Sequence, residues 1–224
     1  LHFVKPVFDR RVFLKTCTNG SSELMTNLSM SLVNALYNLQ LMKIAGENGV
    51  AAYGAVMYVN FIFVATFLGY AIGCAPVISY HYGAGNHAEL KNLYKKSMSI
   101  ILVWGVILFG AAQLLAPVLS KIFVGYNTVL YAMTLHGFRV YAIAFLIIGI
   151  NIFGSSFFTA LNNGLISAVI SFLRTLVFQV IMVLTLPLWF GINGIWSAIS
   201  IAEALTLIMT TTFFVRQKDK YHYL

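Results

Sequence analysis

The 224-residue chain is 60% apolar and only 9% charged, where an ordinary soluble domain carries roughly a quarter charged residues. Too few polar side chains are present to cover a soluble surface, which excludes a soluble enzyme. Long continuous apolar runs exclude the strict alternation of an outer-membrane barrel. The net charge of +8 comes from 14 Lys and Arg against 6 Asp and Glu. The basic residues fall in the gaps between apolar runs, as membrane orientation requires, and no nucleic-acid-binding pattern accompanies them.

The chain opens on Leu1 with a basic, partly apolar stretch that lacks the apolar core and cleavage site of a secretory signal. It reads as the interior of something longer, a cytoplasmic linker and membrane-surface segment over 1–19. Six apolar segments follow, near 20–43, 51–79, 97–119, 129–159, 165–188 and 193–215. Each reaches the roughly 20 residues that cross a bilayer as a helix. The expectation is an all-α integral membrane protein, with six transmembrane helices in one bundle over 20–215 and a basic cytoplasmic tail over 216–224. Breakers mark every connection: Gly46 to Gly49, Gly83 to Asn86, Gly125 to Asn127, Asn162 to Gly164 and Gly191 to Gly194. Pro76 predicts a kink near the end of the second span.

On the side of both termini lie Lys5, Arg10, Arg11, Lys15, Lys91, Lys95, Lys96, Arg216, Lys218 and Lys220, against Lys43 and Lys121 opposite. That bias places both ends in the cytoplasm of an inner or plasma membrane. Asn86 and Glu89 have the spacing of a variant capping box. They open a basic connector whose Leu90, Leu93 and Tyr94 could rest on lipid. Trp104, Trp189 and Trp196 fit interfacial belts. Gly69 and Gly73 form a GxxxG pair that permits close helix contact. Cys17 and Cys74 are isolated and read as small apolar residues.

Polar positions inside the spans carry the functional signal, because lipid will not solvate them. In the first span Glu23, Asn27, Ser31, Asn34 and Asn38 step by 4, 4, 3 and 4, an arc of about 80° on a helical wheel. The stripe is either a hydrogen-bonded helix seam or a wall of a water-filled substrate cavity. Five polar positions in register favour the cavity. Asn151 and Ser155 in the fourth span, with Thr159, continue the theme, as do Ser167, Ser171 and Arg174 in the fifth and Glu203, Thr206 and Thr210 in the sixth. Glu203 sits mid-span, where a bare carboxylate is costly. It either exchanges ions or protons, or pairs statically with Arg174 or Arg139. Glu23 is either an ion site or a first-turn carboxylate facing the helix dipole. No phosphate loop, nucleophile elbow or metal-binding cluster is present, so neither enzyme activity nor a cofactor is expected.

At GENGVAAYGAVMYVNFI (46–62), APVISYHYGAGN (75–86), FFTALNNGLISAVISFLRT (157–175) and FGINGIWSA (190–198) the chain resembles the MATE family. These are multidrug and toxic-compound extrusion transporters of the polysaccharide-flippase superfamily. The resemblance implies the C-terminal six-helix half of a twelve-helix transporter, with the N-terminal half upstream in the same chain or supplied by a second copy. It further implies antiport of H+ or Na+ against amphipathic, often cationic, small molecules by alternating access. The family's seventh-helix acid falls near Ser31 and its tenth-helix acid near Asn151, neither of which is acidic. Glu23 and Glu203 are then local substitutes for the coupling group. A lipid-linked sugar flippase and a truncated, non-transporting fragment are the alternatives.

Overall fold

The computed structural model describes residues 10–223, and the side chains of 11, 12 and 14–27 fall outside what is described. Helices α1 (Arg10–Gly83), α2 (His87–Val124), α3 (Thr128–Ala142), α4 (Phe145–Ala160), α5 (Gly164–Phe172), α6 (Gln179–Phe190) and α7 (Ile192–Tyr221) follow in order. A π-helical segment, Leu173–Phe178, joins α5 to α6. The described residues contain no strand.

The five breakers sit where the chain stops being helical, each for a local reason. Gly46 (φ 62°, ψ −154°) interrupts α1 in a region that an L side chain enters only under strain. Residues 34 and 53 would lie about 28 Å apart on a continuous helix. Instead the Tyr53 hydroxyl donates to Asn34 Oδ1 at 2.9 Å, so the two arms of α1 fold back on each other at Gly46. At Pro76, where a kink is expected, α1 keeps helical backbone angles and runs on to Gly83. Asn86 caps α2 by accepting from the Glu89 amide at 3.1 Å. Asn127 caps α3 through the amides of Val129 and Leu130, and Asn163 caps α5 through Ile166.

By length and composition four helices can cross a membrane: Leu28–Gly83, His87–Val124, Gly164–Phe190 and Ile192–Tyr221. Helices α3 and α4 qualify as a fifth if taken together across their 48° bend. Three-residue hydrogen bonds, Ile143 N to Val140 O and Ala144 N to Tyr141 O, tighten the chain at that bend. Residues 10–19, expected as a linker, are the first turns of α1, whereas residues 1–9 lie outside the described residues.

Small residues set the helix spacing. A Cβ on Gly154 would stand 2.4 Å from Thr210 Cγ2, one on Gly137 2.6 Å from the Trp196 indole, and one on Gly149 2.4 Å from the Phe67 ring. In the absence of a water-driven hydrophobic effect between helices, such close packing is the main source of association. The GxxxG pair is not among these contacts: a Cβ on Gly69 or Gly73 would meet nothing within 4 Å.

Two expectations about the membrane interface are corrected. Leu90 and Tyr94 are buried in protein rather than laid on lipid. The chain turns at His222 (φ 55°) and inserts Tyr223 against Tyr94, Phe157 and Phe214. Trp196 is buried as well, in the groove that Gly137 opens, so of the three tryptophans it belongs to the core and not to a belt. In both cases an amphipathic residue found a protein surface before it found the bilayer.

Candidate functional site

One cavity of about 350 Å³ opens between the two arms of α1 and the faces of α3, α4, the π segment and α7. The first arm contributes Met30, Val33, Asn34 and Tyr37 at helical spacing, and the second Tyr53, Met57, Asn60 and Val64. Tyr37 and Tyr53 stack at 5.1 Å with ring planes 9° apart. Tyr141, Ile148, Arg174, Thr175, Gln179, Ile199 and Glu203 complete the far wall.

That wall holds the single ion pair found among the described residues. Arg174 Nε donates to Glu203 Oε1 at 2.8 Å and to Oε2 at 3.1 Å. Asn151 Nδ2 donates to Glu203 Oε2 at 2.7 Å and to the Glu203 carbonyl at 2.9 Å. The two charges are unequally placed: 18% of the Arg174 side chain is exposed against 1% of Glu203. Both bonds leave from Nε, and Arg174 itself lines the cavity. Arg174 reaches this position from the π segment, a wide turn of the kind found repeatedly at functional sites. Carrying one more residue per turn, the segment shifts the helical register between Ser171 and Gln179.

Several polar atoms around this pair are buried without a hydrogen-bond partner: Tyr37 Oη, Asn60 Oδ1 and Asn151 Oδ1. Such groups are rare and costly in an apolar interior, and rarer still beside a charge.

The sequence-expected residues separate into groups. Asn34, Arg174 and Glu203 line the cavity, and Asn151 stands directly behind Glu203. Ser155, one turn further along α4, is elsewhere: its hydroxyl joins Ser167 at 2.9 Å and Ser171 at 2.7 Å, and Thr159 bonds Ser167 at 2.7 Å. Asn38 donates back to the Asn34 carbonyl at 2.9 Å, and Ser31 is exposed. Arg139 is exposed on α3, where its backbone carbonyl accepts from Gln113 Nε2 at 3.0 Å. Glu203 therefore takes Arg174 as its partner. The side chains of Glu23 and Asn27 lie outside the described residues.

The lining arc of the first arm and its polar stripe overlap only at Asn34, their centres roughly 70° apart on a helical wheel. Reasoning from polar residues alone missed Tyr37, Tyr53, Tyr141, Asn60 and Gln179. A signal existed: Tyr53, Met57, Asn60 and Val64 share one helical face with two polar groups in it.

Apolar helices of membrane length, packed around a cavity that holds an ion pair, define an integral, multi-pass membrane protein. A family model for MatE matches residues 24–185, more than half of the sequence, and the chain belongs to that family. It is similar to the outward-facing conformation of a multidrug resistance MATE family transporter of the MOP superfamily, with a TM-score of 0.85 at 20% identity, covering 96% of this chain and 48% of that one. It is similar to MATE in the straight conformation, with a TM-score of 0.86 at 20% identity and coverages of 97% and 49%. A third similar structure is a MOP superfamily transporter from Pyrococcus furiosus, described as having a binding pocket of reverse polarity that suggests a different function. Its TM-score is 0.84 at 21% identity, with coverages of 94% and 48%. No curated protein matches. The chain spans about half the length of the solved transporters it matches.

Proposed function

We propose that this chain is the C-terminal half of a cation-coupled secondary exporter, moving small amphipathic molecules by alternating access against H+ or Na+. The hairpin at Gly46 and the bent α3–α4 pair divide the helices into six spans in this reading. An even number returns the chain to its starting side, and the lysine and arginine bias makes that side cytoplasmic. The other half of the cavity then belongs to the N-terminal half, upstream or in a second copy. The outward stripe of the first arm supports this: Ser31 and Asn34 are exposed on it, and lipid would be a poor neighbour for both.

The observation that carries the proposal is the Arg174–Glu203 pair, backed by Asn151, on the wall of the cavity. A buried ion pair is weak evidence for stability, since apolar residues of similar volume often do as well or better. Its retention in a membrane span is better explained by use. Neutralising Glu203 by a cation removes the guanidinium's partner and changes which helices are bonded across the cavity. That is what coupling requires: a ligand that binds one arrangement better than the other. A flippase for lipid-linked diphosphates would want a basic cavity, and Arg174 is the single basic residue of this lining and is already paired.

The test is ethidium efflux from cells making the complete transporter that contains this chain, under imposed pH or sodium gradients. Asn34→Leu and Glu203→Gln are each expected to lower efflux at least tenfold at unchanged expression. Undiminished efflux in both variants would remove these residues from the site.

A further inference from the structure

Arg139 is a charge that the cavity does not use. It is exposed on α3, and among the described residues its guanidinium is paired with no acid. A lone charge on the outside of a membrane helix is costly unless the side chain reaches a headgroup or a partner. Membrane orientation does not account for it either. That rule gathers cations at the end holding both termini, and Arg139 stands near the opposite end.

Its depth and direction follow from its neighbours. One turn earlier on α3, His136 Nε2 lies 2.7 Å from Asn193 Oδ1, and Asn193 belongs to the first turn of α7, just past Gly191. Trp189 and Phe190 end α6 at that same turn and are exposed, as aromatic residues at a headgroup boundary are. His136 is therefore level with the boundary, and Arg139 lies only about 4.5 Å deeper along α3. A guanidinium rises that far while its stem stays in hydrocarbon. On the helical wheel Arg139 is about 160° from Tyr141, the α3 residue that lines the cavity. It faces away from the cavity, into a groove between two neighbours. On one side is α2, whose Gln113 bonds the Arg139 carbonyl at 3.0 Å, and on the other is α7 at Asn193. Exposed Ile143, one turn deeper on the same face, continues the groove as an apolar wall.

We propose that this groove binds an anionic phospholipid, with its phosphate on Arg139, in the leaflet at the Gly125 and Gly191 turns. In the orientation proposed above, that is the outer leaflet. Charge complementarity selects the occupant. The guanidinium is a planar donor fork that meets a phosphate with two parallel hydrogen bonds. Neither α3 nor the neighbouring stretches 105–124 and 192–202 carry an acid, so nothing there holds the ammonium of a zwitterionic headgroup. The headgroup sits level with His136, and an acyl chain lies along Ile143. The lipid thus supplies the counter-charge that the protein does not.

Native mass spectrometry of the purified complete transporter, titrated with dioleoyl phosphatidylglycerol or dioleoyl phosphatidylcholine, tests this. Arg139→Gln is expected to weaken phosphatidylglycerol binding about fivefold, the worth of one cation beside an anionic headgroup, and to leave phosphatidylcholine unchanged. Arg139→Lys should keep part of the preference, because an ammonium meets phosphate as a point charge. Lys91→Gln, Lys95→Gln and Lys96→Gln together remove cations from the other end of α2 and should leave the Arg139-dependent step in place. In the unmutated protein a phosphatidylglycerol with a photoreactive chain is expected to label α3 around Ile143, a readout independent of how any variant folds. The proposal is overturned if Arg139→Gln binds phosphatidylglycerol like the parent, if the Arg139-dependent step accepts phosphatidylcholine equally well, or if the label avoids α3. It is overturned too if Arg139→Gln lowers the mass of the assembly, since Arg139 would then hold a protein partner. None of these outcomes touches the export reading, which stands on the Arg174–Glu203 pair.

Discussion

Helix α4 carries two polar clusters one turn apart, and they differ in how completely they are satisfied. At Ser155 four hydroxyls, of Ser155, Thr159, Ser167 and Ser171, bond one another and the backbone. At Asn151 a full charge pair is present, yet Oδ1 of the same asparagine is idle and Tyr37 and Asn60 nearby have idle oxygens too. A closed cluster holds helices together and has nothing left to offer a ligand. An open one costs stability in the resting state and gains partners only when something arrives. Both looked alike as polar positions at helical spacing, and it is the count of satisfied atoms that separates them.

The largest expected effect breaks the open cluster at its charge pair. Arg174→Leu leaves Glu203 buried and unpaired, which in soluble proteins costs about 3–5 kcal/mol. The variant should show a marked loss of thermal stability in detergent and no efflux. Arg174→Leu with Glu203→Leu should recover most of that stability while efflux remains absent, because two apolar residues replace the pair without leaving a charge behind. If the double variant is as unstable as the single one, the pair is holding the fold rather than serving transport.

The bundle's ends and caps were legible in the sequence because they depend on single residues with strong local preferences. Gly46, Gly85 and Gly191 all take positive φ, and Asn86, Asn127 and Asn163 all cap the following helix. Helix packing was less legible. GxxxG at Gly69 and Gly73 carries no close contact in this structure, while Gly137, Gly149 and Gly154, in no such motif together, are pressed against Trp196, Phe67 and Thr210. Motif spacing says a close approach is possible, and only the facing helix decides whether one happens. In the site, Glu203, Arg174, Asn151 and Asn34 were visible as costly polar groups in apolar spans. The tyrosines were not, because a tyrosine in a greasy sequence reads as core. The partner of Glu203 was likewise undetermined: Arg139 and Arg174 were equal on paper, and the fold decides between them by setting Arg174 against Glu203 and leaving Arg139 exposed on α3.

A second, smaller effect sharpens the contrast by perturbing packing alone. Gly137→Ala would place a methyl carbon 2.6 Å from the indole of Trp196, a fully buried side chain with no room to withdraw. Overpacking of this kind costs roughly 1–3 kcal/mol. Size-exclusion profiles after heating should show earlier loss of the monodisperse peak. Ethidium efflux per folded molecule should stay within about twofold of the parent, because neither Gly137 nor Trp196 is among the residues that line the cavity. A collapse of efflux at full stability would mean that the α3–α7 contact moves during transport.

The smallest effect tests the closed cluster. Ser155→Ala removes the hydroxyl that bridges Ser167 and Ser171 at 2.9 and 2.7 Å. The Ser167 hydroxyl keeps a partner, since it still accepts from Thr159 at 2.7 Å, whereas the Ser171 hydroxyl loses its bond to Ser155. The loss is therefore partly cushioned, and interhelical hydrogen bonds in membranes average only about 0.6 kcal/mol. Thermal stability should fall by that order and efflux should be unchanged, in contrast to Glu203→Gln, whose partner Asn151 is one turn away on α4. The logic also runs in reverse. Efflux that fails in Ser155→Ala at parental stability would show that the hydroxyl cluster opens in another conformation and takes part in the cycle. The distinction between closed and open clusters would then belong to one state of the transporter and not to its residues.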